Sequence, residues 1–123
     1  MPTVLIVDDD AAVRKVLHKI FNHGSGFDTC MEAGNGADAI VKTTQLLPDL
    51  AVVDCSMLEV NGLQLARKLK TVAPELPIFM LTADYDAAME KEALSSGITA
   101  VFSKLDDMAT LAANARAACG IGW

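Results

Sequence analysis

Three consecutive carboxylates, Asp8, Asp9 and Asp10, stand where the apolar run VLIV ends. Neighbouring like charges raise one another's pKa, so such a cluster calls for a positive group beside it or a helix start that uses it. Further on, Asp54 closes the run LAVV and is followed by Cys55, Ser56 and Met57 rather than by turn residues. Thr82 closes IFML, and Lys104 follows AVFS. Taken singly, each residue has an ordinary explanation. Asp10 suits an N-cap or first helical turn, Thr82 is a common strand residue, and Lys104 could be a surface lysine. Together they place carboxylates, a hydroxyl and an ammonium at the ends of four different apolar runs.

Those runs define the elements that must position them. Short apolar stretches begin at Thr3, Phe27, Asp49, Leu76 and Ile98, and segments with helical spacing lie between them. Val13, Val16, Leu17, Ile20 and Phe21 share one helix face. Ala37, Ile40, Val41, Thr44 and Leu47 repeat the pattern, as do Leu65, Ala66, Leu69, Val72 and Ala73. Met108, Leu111, Ala112, Ala115 and Cys119 form the last stripe, and Met89, Ala93 and Leu94 a thinner one in the fourth helix. Gly34 and Gly36 open the turn before the second helix, Asn61 caps the third before Gly62, and Gly97 closes the fourth. Strands alternating with helices predict an α/β fold, a parallel sheet with helices on both faces. In such sheets the functional crevice lies beyond the carboxyl ends of the strands, where Asp8, Asp9, Asp54, Thr82 and Lys104 fall.

Composition agrees with one domain. The chain has 123 residues, 52% of them hydrophobic and only 5% aromatic, so the core must be aliphatic. A formal net charge of −6 disfavours direct binding to nucleic acid or to an anionic membrane. Cys30, Cys55 and Cys119 have no metal-ligand spacing, and nothing at the start reads as a targeting signal; a cytoplasmic location with reduced thiols is expected. The folded core is expected over about 1–119, with 120–123 as a tail. His18 and His23 read as surface or helix-end residues.

The motifs VDD at Val7–Asp9, D-x-x-M at Asp54–Met57, NG at Asn61–Gly62, LTA at Leu81–Ala83 and SK at Ser103–Lys104 resemble, in this order, a response-regulator receiver domain of the CheY-like family. The resemblance covers essentially the whole chain and implies five parallel strands in the order 2-1-3-4-5. It implies Asp54 as phosphoacceptor, a carboxylate nucleophile that forms an acyl phosphate. Asp9 and Asp54 would bind Mg2+ (or Mn2+), with Asp8 acting directly or through water and the Ser56 backbone carbonyl as a further ligand. Lys104 would pair with a phosphoryl oxygen, and Thr82 would hydrogen-bond another. Ser56 and Asp84 would modulate phosphoryl lifetime. Implied partners are a histidine kinase or histidine phosphotransfer protein, and an output protein or missing output domain, reached through the α4-β5-α5 surface. No direct nucleic-acid or membrane contact is expected, and the chain should be a monomer or weak dimer. Beyond self-catalysed phosphotransfer and autodephosphorylation, it should not be an enzyme.

Three departures from the family pattern bear on output. Leu58 and Leu105 stand where proline is usual, and Val101 occupies the aromatic switch position, with Phe102 on the opposite face. Because a non-proline cis bond costs ~3 kcal/mol, the Lys104–Leu105 bond is expected to be trans. The alternative reading is a pseudo-receiver that binds partners without phosphorylation. A flavodoxin-like electron carrier is disfavoured, since no Ser/Thr/Gly-rich loop follows the first strand.

Overall fold

The computed structural model describes residues 2–22, 26–55, 57, 61–104 and 108–121. Expectations for His23, Ser56, Leu58 and the Lys104–Leu105 bond lie outside the described residues. The elements alternate as β1 (Thr3–Val7), α1 (Ala11–Asn22), β2 (Thr29–Ala33), α2 (Gly36–Leu46), β3 (Leu50–Asp54), α3 (Gly62–Val72), β4 (Ile78–Thr82), α4 (Ala87–Ser95), β5 (Ala100–Ser103) and α5 (Leu111–Ala118), the last entered through a 3-10 turn at Met108–Thr110. All strand pairs are parallel, and the order is β2-β1-β3-β4-β5. That is the expected doubly wound arrangement.

Strand alternation divides the core between the two faces. Leu5, Val7, Ala51, Val53, Ile78, Met80 and Val101 point toward Ala39 of α2, Leu65, Ala66 and Leu69 of α3 and Ala93 of α4. Val4, Ile6, Leu50, Val52, Phe79 and Leu81 point the other way, toward Leu17 and Phe21 of α1 and Leu111 and Ala115 of α5. The central strand β3 and its neighbour β4 are buried along their whole length, as strands covered on both faces should be. Phe27, expected within the second strand, precedes it and instead plugs the second layer, edge-on to Phe21 at 5.4 Å between ring centroids. Beyond α5, Ile121 packs against the same layer and its amide returns to the Arg116 carbonyl at 2.9 Å.

Caps fix where the helices begin. The Asp10 carboxylate accepts from Ala12 N, and the side chains of Asn35, Asn61 and Asp86 accept from Asp38 N, Gln64 N and Ala88 N at 2.7–2.9 Å. Gly97 closes α4 with φ +96°.

The face of α2 differs from its predicted stripe. Its buried residues are Gly36, Ala39 and Thr43, with Ile40 half-buried; Ala37 and Thr44 are exposed, and Val41 and Leu47 turn outward. The cap at Asn35 sets the helix phase one residue earlier, and small residues let the helix lie close to the sheet. Val16, Val72 and Leu94 likewise sit at the solvent edge of their stripes.

Candidate metal and phosphoacceptor site

Sheet register brings the crevice residues together. Asp8 follows β1, and its amide continues the pairing with β2 by donating to the Ala33 carbonyl at 3.1 Å. Asp54 ends β3 opposite Leu81, and the next amide, Cys55, donates to Leu81 O at 2.8 Å. Thr82 ends β4 opposite Ser103, and Lys104 N donates to Thr82 O at 2.8 Å. The side chains of Asp8, Asp54, Thr82 and Lys104 therefore leave a backbone already held by a neighbouring strand.

Gly62 adds a further constraint on Asp54. Its amide donates to Cys55 O at 2.9 Å, drawing the start of α3 back onto the end of β3. A Cβ at this position would run into the Asp54 carbonyl oxygen and lie 2.9 Å from the Cys55 Cα, so only glycine permits this close backbone approach.

Asp8 and Asp54 are almost fully buried, and Asp9 is exposed at the mouth. The three carboxylates each offer an oxygen within 4.8 Å of the others. Lys104 Nζ lies between the two buried ones, 3.2 Å from Asp8 Oδ2 and 2.9 Å from Asp54 Oδ1. Burial pushes the Asp8 carboxyl above its ordinary value and the Asp54 charge adds to this, while the Asp10 amide and Lys104 pull it partly back. Burial would lower the Lys104 pKa, but its hydrogen bond to Asp54 and the two carboxylate charges together hold it above the ordinary lysine value.

Three carboxylates against one ammonium leave a negative excess that a divalent cation would balance. An all-oxygen donor set open on one side fits Mg2+, a hard ion that keeps several of its waters. Asp8, Asp9 and Asp54 are the described residues that could hold it.

Thr82 is buried at the same edge, but its hydroxyl is engaged with the following turn. Oγ1 accepts from Asp84 N at 3.1 Å and donates to Asp84 O at 3.2 Å. Asp84 itself is exposed. Val101 is buried in the layer facing α3 and α4, whereas Phe102 lies in the other layer against Phe79 at 4.8 Å between ring centroids. Among the cysteines, burial raises Cys30 to about 12 and Cys119 to about 11, values at which a thiol stays protonated near neutrality. Cys55, beside the site, is raised by burial and by the Asp54 charge.

The crevice residues named from sequence are thus brought together, save Ser56, which lies outside the described residues. Two neighbours were not singled out as site residues. Arg14 of α1 donates through Nη1 to the Asp8 carbonyl at 2.6 Å and pairs through Nε with Glu32 of β2 at 3.2 Å. Sequence alone could not join Arg14 to Glu32, because only the packing of α1 beside β2 makes them neighbours.

The chain belongs to the response regulator receiver domain family, whose model matches residues 4–116. It is 35% identical to the chemotaxis protein CheY of Thermotoga maritima over 76% of this chain and 78% of that protein. A protein of Pseudomonas aeruginosa named as a transcriptional regulator is 32% identical over 95% of this chain, which spans 56% of that relative's length. The DNA-binding response regulator MtrA of Mycobacterium tuberculosis is 37% identical over 76% of this chain and 40% of its own length. Among solved structures, a Francisella response regulator receiver domain superposes with TM-score 0.88 at 24% identity, covering 98% of both chains. CheY of Borrelia burgdorferi, in a complex with CheX, BeF3 and Mg2+, superposes with TM-score 0.86 at 24% identity over 94% of this chain and 87% of that one. This is a receiver of two-component signalling, a class of phosphoacceptor switches. No described helix is long and apolar enough to cross a membrane.

Proposed function

We propose that residues 1–123 form one receiver that takes a phosphoryl group on Asp54 from the phosphohistidine of a kinase or phosphotransfer protein. The observation that carries this reading is the Lys104 ammonium bridging two buried carboxylates, Asp8 and Asp54, beside a third acid, Asp9. An Asp54 carboxylate oxygen attacks phosphorus, the donor's N–P bond breaks, and an acyl phosphate remains. Asp8, Asp9 and Asp54, with the Ser56 carbonyl, would hold Mg2+, which when bound neutralises charge on the transferring phosphoryl group. Lys104 already lies at hydrogen-bonding distance from Asp54 and would move its ammonium onto a phosphoryl oxygen. Thr82 would turn its hydroxyl from Asp84 to a second oxygen. Asp84 and Ser56 would set how readily water attacks the phosphoryl group during self-catalysed loss. Output would pass to a partner protein, or to a further domain, through the surface of α4, β5 and α5.

The test is labelling by a small phosphodonor with Mg2+. Asp54→Asn keeps the shape of the side chain but loses the anionic nucleophile, so labelling should disappear. Asp9→Ala should lose Mg2+ dependence and most of the label while the domain stays folded, because Asp9 is exposed. Full labelling of Asp54→Asn would refute the assignment, and unphosphorylated wild type under all donors would favour a pseudo-receiver.

A further inference from the structure

We propose that Arg14 is a positioning residue for the acidic cluster, fixing the Asp8–Asp9 peptide to the edge strand β2; this rests on reading that cluster as a Mg2+ seat. Asp8 has four polar handles, and all are held. Its amide donates to Ala33 O at 3.1 Å, Oδ1 accepts from Asp10 N at 2.9 Å, and Oδ2 lies 3.2 Å from Lys104. The carbonyl accepts from Arg14 Nη1 at 2.6 Å. That carbonyl belongs to the peptide unit leading into Asp9, so holding it sets the direction in which Asp9 leaves the strand.

Arg14 can act this way because its own far side is anchored. Nε bonds Glu32 Oε1 at 3.2 Å. The Glu32 backbone carbonyl also accepts from Lys42 Nζ, and that ammonium pairs with Asp38 at 2.9 Å. Gly34 leaves room for the guanidinium, since a Cβ there would stand 3.3 Å from Nη1. A planar guanidinium can serve the Asp8 carbonyl and Glu32 at once in a fixed geometry, which a flexible ammonium cannot do.

Electrostatics alone predicts the opposite behaviour. A positive charge beside a divalent-cation seat repels the ion, so removing Arg14 should tighten Mg2+ binding if charge were its only effect. Positioning predicts weaker binding. Outer-shell partners of metal ligands are commonly worth about 10- to 100-fold in affinity.

The experiment is calorimetric titration of Mg2+ into the full chain at pH 7, with thermal unfolding as the check on folding. Arg14→Ala is expected to weaken Mg2+ binding about 10-fold despite the lost repulsion. Arg14→Lys, which keeps the charge, is expected to stay weaker than wild type, since it lacks the fork. Unchanged or tighter binding by folded Arg14→Ala would overturn the proposal. So would wild-type affinity in Arg14→Lys, which also decides the matter if the alanine variant does not fold. A wild type that binds no Mg2+ would bring down the seat and this inference together. The wild-type titration alone distinguishes that failure from one confined to Arg14.

Discussion

At Asp8, burial and, after it, the Asp54 charge oppose ionisation. The Asp8 pKa is raised above 3.8, so the native state holds this proton more tightly than the unfolded chain does. By linkage, ionising Asp8 lowers stability: the loss is absent below pH 3.8, grows as pH rises through the native pKa, and is complete above it. Asparagine resembles the neutral acid. In chelator, Asp8→Asn should therefore melt at a higher temperature than wild type at pH 7, and this gain should vanish near pH 3. Added Mg2+ should stabilise wild type, which binds it only when folded, and leave the variant nearly unmoved. A lower melting point for the chelated variant would mean that the Lys104 pairing outweighs burial. At this scale the acids, Thr82 and Lys104 were legible because each interrupts or follows an apolar run. Arg14 was not, since an arginine on an amphipathic helix reads as solvated surface until β2 lies beside it.

The elements were legible from their periodicity, and the α2 face was misread for a physical reason. Apolar spacing selected Val41 and Leu47, whereas the Asn35 cap and the small residues Gly36 and Ala39 set which side meets the sheet. Leu47 shows the consequence most clearly. It ends α2 at φ 47°, the left-handed conformation that glycine or asparagine usually supplies, and 69% of its surface is exposed. A leucine in that conformation costs roughly 1–2 kcal/mol, with little packing to offset it. Leu47→Gly should keep the amide bond to Thr43 O, seen at 3.2 Å, and raise stability by about 0.5–1 kcal/mol after glycine's greater unfolded-state freedom is counted. Denaturant unfolding monitored by circular dichroism would measure it. An unchanged or lower midpoint would mean that Leu47 makes contacts that relieve its backbone.

For the whole molecule, the question is how a phosphoryl group at one edge of the sheet would reach a surface that a partner reads. Val101, at the position where the family usually has an aromatic, is buried, β-branched and restricted at χ1, so it cannot swing between two sites. Phe102 packs in the opposite layer against Phe79, away from Val101. The lever that the proposed function leaves is Thr82. Its hydroxyl makes both hydrogen bonds to the Asp84 backbone, so turning toward a phosphoryl oxygen gives up both and frees the β4–α4 turn. The helix beyond is held by little: Ala93 is its one fully buried residue, and Leu94 is 47% exposed. Elements with few buried apolar contacts open first. Activation by beryllofluoride with Mg2+ should therefore appear as faster amide exchange and backbone shifts across 83–96, while Phe102 ring signals stay in place. Thr82→Ala should show much of the faster exchange at Asp84 without any activator, because it removes the same two bonds. Changes confined to the acidic loops would exclude this surface as the output, and changes centred on Phe102 would assign the switch to that ring.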